Sequence, residues 1–313
     1  MRQNEYEIAR QSLALFGVSG TFRRIAKGLD VSYRVKTEEG KVYALRVSKG
    51  PPSRPVSAFQ IEAEWIDALS SNPWFRVPKL HWTEAGTRVG QVEDATGVVR
   101  ASTLLSWLPG RRCYLIGILH ARALGQMAGA LHQRAKATQV PSTDAIKTWD
   151  AELMCGMFKK GAIDSFEPEV AELVRDIHGN LRRITATLAP LETGLINADV
   201  GLHNILWRNG RASLVDFNDT GIGPFAFCLG RLVERIRLHE RGVALADELL
   251  QGYREVTPLP AAYENWGSLF ELAAAVFKLN FSTERVARGE TILKAREKRT
   301  LKALKRTFVR LEL

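Results

Sequence analysis

Apolar positions rich in β-branched and aromatic residues over Val31–Lys36 and Lys41–Val47 flank the glycine-bearing turn Glu38-Glu39-Gly40 and predict a β-hairpin. A stretch rich in proline and serine, Gly50–Ser57, breaks this pattern. Phe59, Ala63, Ile66 and Leu69 then recur at the spacing of one helical face, which predicts a helix over Phe59–Leu69. Strand patterns follow over Val77–Trp82, Arg88–Val92 and Val98–Trp107. Leu108-Pro109-Gly110 ends them, and the first domain is expected to close there, at residues 1–108.

Beyond that break apolar residues recur at spacings of three and four. Leu124, Met127, Ala128 and Leu131 mark a helix within Leu119–Ala137, and Val170, Leu173, Ile177, Leu181, Ile184 and Leu188 mark another within Glu167–Leu188. After an irregular centre, Leu195–Pro224, helical patterns resume over Phe227–His239, Val243–Arg254 and Ala261–Arg288. The expectation is an α+β chain with a small β-rich lobe at 1–108 and a larger helical lobe at 109–313.

Composition excludes several classes. With 313 residues, 45% hydrophobic and 25% charged, the chain can build ordinary cores and is not of disordered type. Its most apolar late stretch, Leu269–Phe281, is interrupted by Glu271 and Lys278, so no membrane span is expected. The start, MRQNEYEIARQ, has no apolar run of the signal-peptide kind. Cys113, Cys155 and Cys228 show neither disulfide-framework nor zinc-site spacing and suit a reducing, cytoplasmic setting. The net charge of +10 is concentrated: Lys294–Arg310 holds eight basic residues against one acid. Leu301, Leu304, Phe308 and Leu311 run through that tail at helical spacing. A packed terminal helix with solvated charges is therefore favoured over contact with nucleic acid or an anionic membrane.

Chemistry is concentrated in Leu195–Phe217. Asn209-Gly210 between two apolar runs is a strong hairpin signal. With those residues in the turn, facing residues have numbers summing to 419, so Asn204 falls opposite Val215 and beside Asp216. Asp199, five residues earlier, is expected to approach the same point. One carboxylate to take the proton of an attacking hydroxyl, with an amide oxygen and a second carboxylate for Mg²⁺, is the set that phosphoryl transfer needs. Asp-x₄-Asn followed after a hairpin by Asp-Phe matches the protein-kinase signature.

On these residues the chain resembles the aminoglycoside phosphotransferase family, which includes choline kinase-like and homoserine kinase-like enzymes and shares the two-lobed protein-kinase-like fold. The resemblance runs from Ala14 to Arg288. It implies an ATP- and Mg²⁺-dependent kinase acting on a small-molecule hydroxyl acceptor, with Asp199 as the catalytic aspartate. Asn204 and Asp216 would bind metal and nucleotide. Gly28 and Ser32 would lie in the loop over the phosphates, and Ser106, Trp107 and Leu108 at the adenine-facing hinge. Arg46 stands where the family has a strand lysine, with Glu62 as its helix partner. Arg46 is free to pair with Glu62 or to hold two phosphate oxygens, and the two basic side chains are not equivalent.

Other positions depart from the family pattern. Asn197 replaces a histidine, Asn218 a third aspartate and Cys228 a buried structural aspartate. They motivate an alternative, a pseudokinase-like nucleotide-binding module with little transferase activity; a protein Ser/Thr kinase is a further alternative. His203 is assigned a loop-positioning role. His120 and His132, twelve residues apart on one helix, are too distant for a local metal pair. The acceptor is expected between Trp149–Phe158 and the helices after Phe227, a location implied by the resemblance. The large lobe has no evident extra acidic cluster, so a polycationic aminoglycoside is not the favoured acceptor. Nothing in the sequence bears on oligomeric state.

Overall fold

The computed structural model describes residues 2–28, 30–50, 54–139, 146–156, 168–189 and 192–287, without the side chains of 2–4 and 281–287. The basic segment Lys294–Arg310 and Phe158 lie outside the described residues. The chain forms two compact units. One takes in the described residues of 1–114, Ile146 and 202–218; the other takes in those of 115–140, 147–201 and 219–287.

The first unit opens with helix α1 (Arg2–Ala14) and strand β1 (Thr21–Lys27), which the sequence patterns did not single out. Both are too polar to show their period. Strand β1 is exposed at five of its seven positions, and α1 buries little beyond Ile8, Ala9, Ser12 and Leu13. Glu5 ties the two together through Lys27 at 2.6 Å and Arg24 at 3.3 Å. Strands β2 (Asp30–Lys36) and β3 (Val42–Ser48) form the expected hairpin, with Gly40 at φ 80° in its turn. Helix α2 (Val56–Leu69) follows, then β4 (Gly90–Glu93) and β5 (Val99–Ser106). The five strands are antiparallel in the order β1-β2-β3-β5-β4.

Val77–Trp82, expected as a strand, instead runs beside β5 with one bridge, Leu80 to Leu105, and hydrogen bonds from His81 N–H to Leu104 and from Ser106 N–H to Lys79. Trp65, Phe59 and Ile66 of α2 are almost wholly buried, each such side chain contributing about 1.5–3 kcal/mol.

The second unit contains α3 (Ile118–Lys136), β6 (Lys147–Thr148), α4 (Ala151–Met154), α5 (Pro168–Thr185) and β7 (Thr193–Asn197). Strands β8 (Ile205–Arg208) and β9 (Arg211–Leu214) return to the first unit as a two-stranded hairpin. Strand β10 (Thr220–Pro224) and helices α6 (Phe225–Arg237), α7 (Gly242–Arg254) and α8 (Ala261–Ala287) complete the second. Strand β10 lies between β6 and β7, antiparallel to β7.

Helices α3 and α7 meet backbone to backbone. A Cβ on Gly125 would sit 1.8 Å from the Leu249 carbonyl oxygen, so only glycine permits the approach. His132 is fully buried there; its Nδ1 bonds the Tyr253 hydroxyl at 2.8 Å and its ring stacks on Phe225. His120 instead sits at the N-terminus of α3, where its Nδ1 accepts from Gly117 N–H at 3.3 Å. No cluster of three or more His, Cys, Asp or Glu suited to a metal occurs among the described residues. No helix there is long and apolar enough to cross a membrane.

Candidate active site

In the first unit the β8–β9 hairpin has the register that the Asn209-Gly210 turn dictates: Ile205 faces Leu214 and Arg208 faces Arg211. The Asn204 carbonyl accepts from Val215 N–H at 2.9 Å, fixing Asn204 across from the residue before Asp216. Asn204 is buried at the end of a 3-10 turn, Leu202–Asn204, while Asp216 is exposed and adopts φ +69°. Left-handed backbone at a non-glycine residue is uncommon and is sustained here by local bonding, Asn218 N–H donating to Asp216 Oδ1 at 3.1 Å. Phe217 between them is buried, which locks the turn. His203 is exposed in the 3-10 turn.

Arg46 lies on β3 between Ser32 of β2 and Thr103 of β5. Its guanidinium pairs with Glu62 on α2, with Asp30 Oδ2 at 2.7 Å and with Asn218 Oδ1. A second arginine joins it: Arg54 contacts Asp30 Oδ2 at 2.7 Å, Glu62 Oε2 at 2.7 Å and Asn218 Oδ1. All four charged side chains are buried, and both guanidiniums lie over the Phe59 ring, at 5.7 and 4.6 Å from its centre. Burial opposes charge on Arg46, but Glu62, Asp30 and Asp216 outweigh it and hold the group protonated. Burial likewise raises the Glu62 pKa, yet the charges of Arg46 and Arg54 keep it below the usual carboxylate value.

Sequence reasoning reached Arg46 and Glu62. It missed Arg54, hidden in the Pro/Ser-rich break, and Asp30, one residue before a strand pattern; neither has a local signature. Asn218, read as a departure, is the neutral member that both arginines share. Gly28 is exposed in the β1–β2 turn, where Lys49 Nζ donates to its carbonyl. At the other end of the sheet, Ser106 Oγ accepts from Lys79 N–H at 2.9 Å, and Trp107 N–H reaches the Val42 carbonyl at 3.3 Å. The Trp107 ring is partly exposed, with the Arg34 guanidinium 5.3 Å above it; Leu108 beside it is half-buried.

In the second unit Asp199 follows β7. Its N–H donates to Asn197 Oδ1 at 3.1 Å, and Gly201 N–H donates to its carbonyl at 2.8 Å. The Cys228 thiol donates to the Asn197 carbonyl at 3.5 Å, and burial pushes that thiol up to about 12. Asn197 and Cys228 thus brace the segment through uncharged groups. The Asp199 carboxylate accepts from Arg235 at 2.8 Å and has Arg231 at 3.5 Å.

Trp149 and Phe227, both in the expected acceptor region, pack at 5.6 Å between ring centres. A separate cavity of 620 Å³ opens among α5, α6, α7 and the start of α8, lined by Arg183, Arg237, Tyr263, Trp266 and Glu271. It contains none of the motif residues.

The model of the phosphotransferase enzyme family matches residues 21–266. The chain belongs to that family. Solved structures with the same kinase-like fold include amicoumacin kinase in complex with AMP-PNP, Ca²⁺ and Ami. It is 19% identical with a TM-score of 0.77, covering 97% of this chain and 92% of that one. A microcompartment-associated aminopropanol kinase is 22% identical with a TM-score of 0.76, covering 96% and 95%. A choline/ethanolamine kinase family protein from Mesorhizobium loti is 14% identical with a TM-score of 0.61, covering 98% and 95%. The comparison with curated proteins gave no match. The phosphotransferase therefore has the α+β, kinase-like fold expected of it, with the β-sheet in the N-terminal region and the helical part in the C-terminal region.

Proposed function

We propose that this phosphotransferase uses Mg²⁺·ATP to phosphorylate the hydroxyl of a small molecule. The observation that carries the reading is the hairpin register that sets Asn204 beside the Asp216 turn, in a member of a phosphotransferase family. Asn204 and Asp216 offer hard oxygen donors, and two protein ligands suit an ion that keeps several waters, so the residues present fit Mg²⁺. The ion would neutralise charge on the phosphates.

Asp199 is assigned the acceptor hydroxyl. As the hydroxyl oxygen bonds the γ-phosphorus, the bond to the β,γ-bridging oxygen breaks, ADP leaves with that electron pair, and the hydroxyl proton passes to the Asp199 carboxylate. Arg46, Gly28 and Ser32 are assigned to the phosphates, Glu62 to holding Arg46, and Ser106, Trp107 and Leu108 to adenine. The 1–108 segment would be the nucleotide-binding lobe and 109–313 the catalytic and acceptor-binding one. Reduced cysteines fit a cytoplasmic location.

The retained Asp199 favours an active enzyme over a nucleotide-binding module, because a binder has little use for that carboxylate. Calorimetric titration of ATP with and without Mg²⁺, on the wild type, Asp216→Ala and Asp199→Asn, tests the reading. Metal-dependent binding should vanish in Asp216→Ala. In Asp199→Asn binding should persist, with ADP release at least ~10²-fold slower. No binding of ATP to the wild type would sink the proposal.

A further inference from the structure

Arg231 is a buried charged residue of the second unit. It projects from α6, its side chain 6% exposed, into a ring of aromatics: Phe277 at 4.2 Å, Phe227 at 5.7 Å and Trp149 at 5.8 Å from the guanidinium carbon. Its Nη2 lies 3.5 Å from the Asp199 carboxylate, and its Nη1 is buried with no hydrogen-bond partner among the described residues. A buried guanidinium nitrogen without an acceptor is costly, and such orphans in native proteins call for an explanation.

Charge around it points the same way. Arg235, one helical turn on, takes the Asp199 carboxylate at 2.8 Å. Lys278 pairs with Glu234, and Lys147 with Asp219. Arg231 and Arg235 both address one oxygen of the single Asp199 carboxylate, Oδ1. Two arginines four residues apart on one helix repel each other, and burial together with Arg235 lowers the Arg231 pKa to about 10, which still leaves it charged at neutral pH. The aromatic ring, which in another protein would suit a quaternary ammonium ligand, is already filled by this protein's own cation.

We propose that Arg231, with Arg235 beside it, binds an oxyanion on the acceptor, so that the substrate class is an alcohol carrying a carboxylate or phosphate, not a polyamine or amino alcohol. This rests on the reading of Asp199 as the residue that receives the acceptor hydroxyl. The acceptor's anion gives Nη1 of Arg231 its missing partner. It also competes with Asp199 for Arg235, releasing the Asp199 oxygen to accept the hydroxyl proton. Anion recognition and readiness of the base are then one event.

The test uses the full-length protein with Mg²⁺·ATP and four acceptors: γ-hydroxybutyrate, the diol and the amino alcohol of the same chain length, and glycerol phosphate. ADP release gives kcat and KM for each, and ATP affinity is measured calorimetrically in the same samples. The expected result is turnover of an anionic acceptor with kcat/KM at least ~10-fold above both the diol and the amino alcohol. γ-Hydroxybutyrate against glycerol phosphate tells carboxylate from phosphate. Arg231→Gln should raise KM for that acceptor at least ~10-fold with ATP affinity unchanged, and Arg231→Lys should recover part of the loss. Equal rates, preference for the amino alcohol, or no ADP release from any acceptor despite ATP binding would overturn the assignment. The wild-type preference decides the matter even if a variant folds poorly. Loss of ATP binding itself would instead remove the kinase reading on which it rests.

Discussion

Arg46 and Arg54 donate to the same oxygen of Asp30, Oδ2, at 2.7 Å each. They also share Glu62 and the Asn218 amide oxygen, so one buried patch closes on itself with two positive and two negative charges. Its members come from β2, β3, the segment before α2, α2 itself and the turn after β9. A lysine at position 46 would bring a single ammonium in place of a planar fork, and sharing two carboxylates and an amide with a second arginine is a task suited to guanidinium geometry.

Removing one acid from this patch leaves two buried cations to share one carboxylate, so one positive charge is uncompensated. Asp30→Ala should therefore cost about 3–5 kcal/mol in urea unfolding, the range for breaking a buried pair. Asp67→Ala, which breaks the half-exposed Asp67–Arg88 pair, should cost no more than about 1 kcal/mol. Similar midpoints for the two variants would show that the buried patch is not a stabilising unit.

His132 makes stability depend on pH. Burial, with a smaller contribution from Lys136, lowers its folded-state pKa to about 3 from 6.5. The unfolded chain therefore takes up a proton below pH 6.5 that the folded chain refuses. The stability is fully present above that pH and falls on acidification until about pH 3. Between pH 6.5 and pH 5 the loss should reach about 2 kcal/mol. In His132→Leu that part of the slope should disappear, even if the variant is less stable throughout. An unchanged slope in chemical unfolding would assign the acid sensitivity elsewhere.

The α3–α7 crossing sets two glycines apart. Gly125→Ala places a methyl group against the Leu249 backbone and should destabilise by about 3 kcal/mol, since backbone cannot yield as a side chain does. Gly179→Ala, on an exposed face of α5 with open space around it, should stabilise by about 0.5–1 kcal/mol through helix propensity. Thermal melts of the two variants should move in opposite directions.

Particular residues explain what the sequence made legible. The β8–β9 register follows from local chemistry: Asn-Gly fixes the turn, the turn fixes the pairing, and Asn204 falls opposite Val215 as the count requires. The α3, α6 and α7 segments were legible because their apolar faces are wide. Helix α1 and strand β1 were not, because their burial is shallow and their charges satisfy one another across the two elements, as Glu5 does with Lys27. The Arg54–Asp30 contact joins residues 24 apart with no periodic relation, and Arg231 sits in an apolar helix pattern that gives no hint of the aromatic ring around it. Contacts of this kind depend on three-dimensional closure, which composition and period do not encode.

The thiol beneath the Asn197 carbonyl has one more consequence. Only thiolates react readily with alkylating reagents, and Cys228 is both buried and pushed far from ionisation. Its labelling requires a local opening around α6, such as separation from the Asn197 carbonyl. Peptide-resolved labelling, which separates Cys228 from the more accessible Cys113, therefore turns a departure from the family pattern into a built-in clock for local opening around Asn197 and α6.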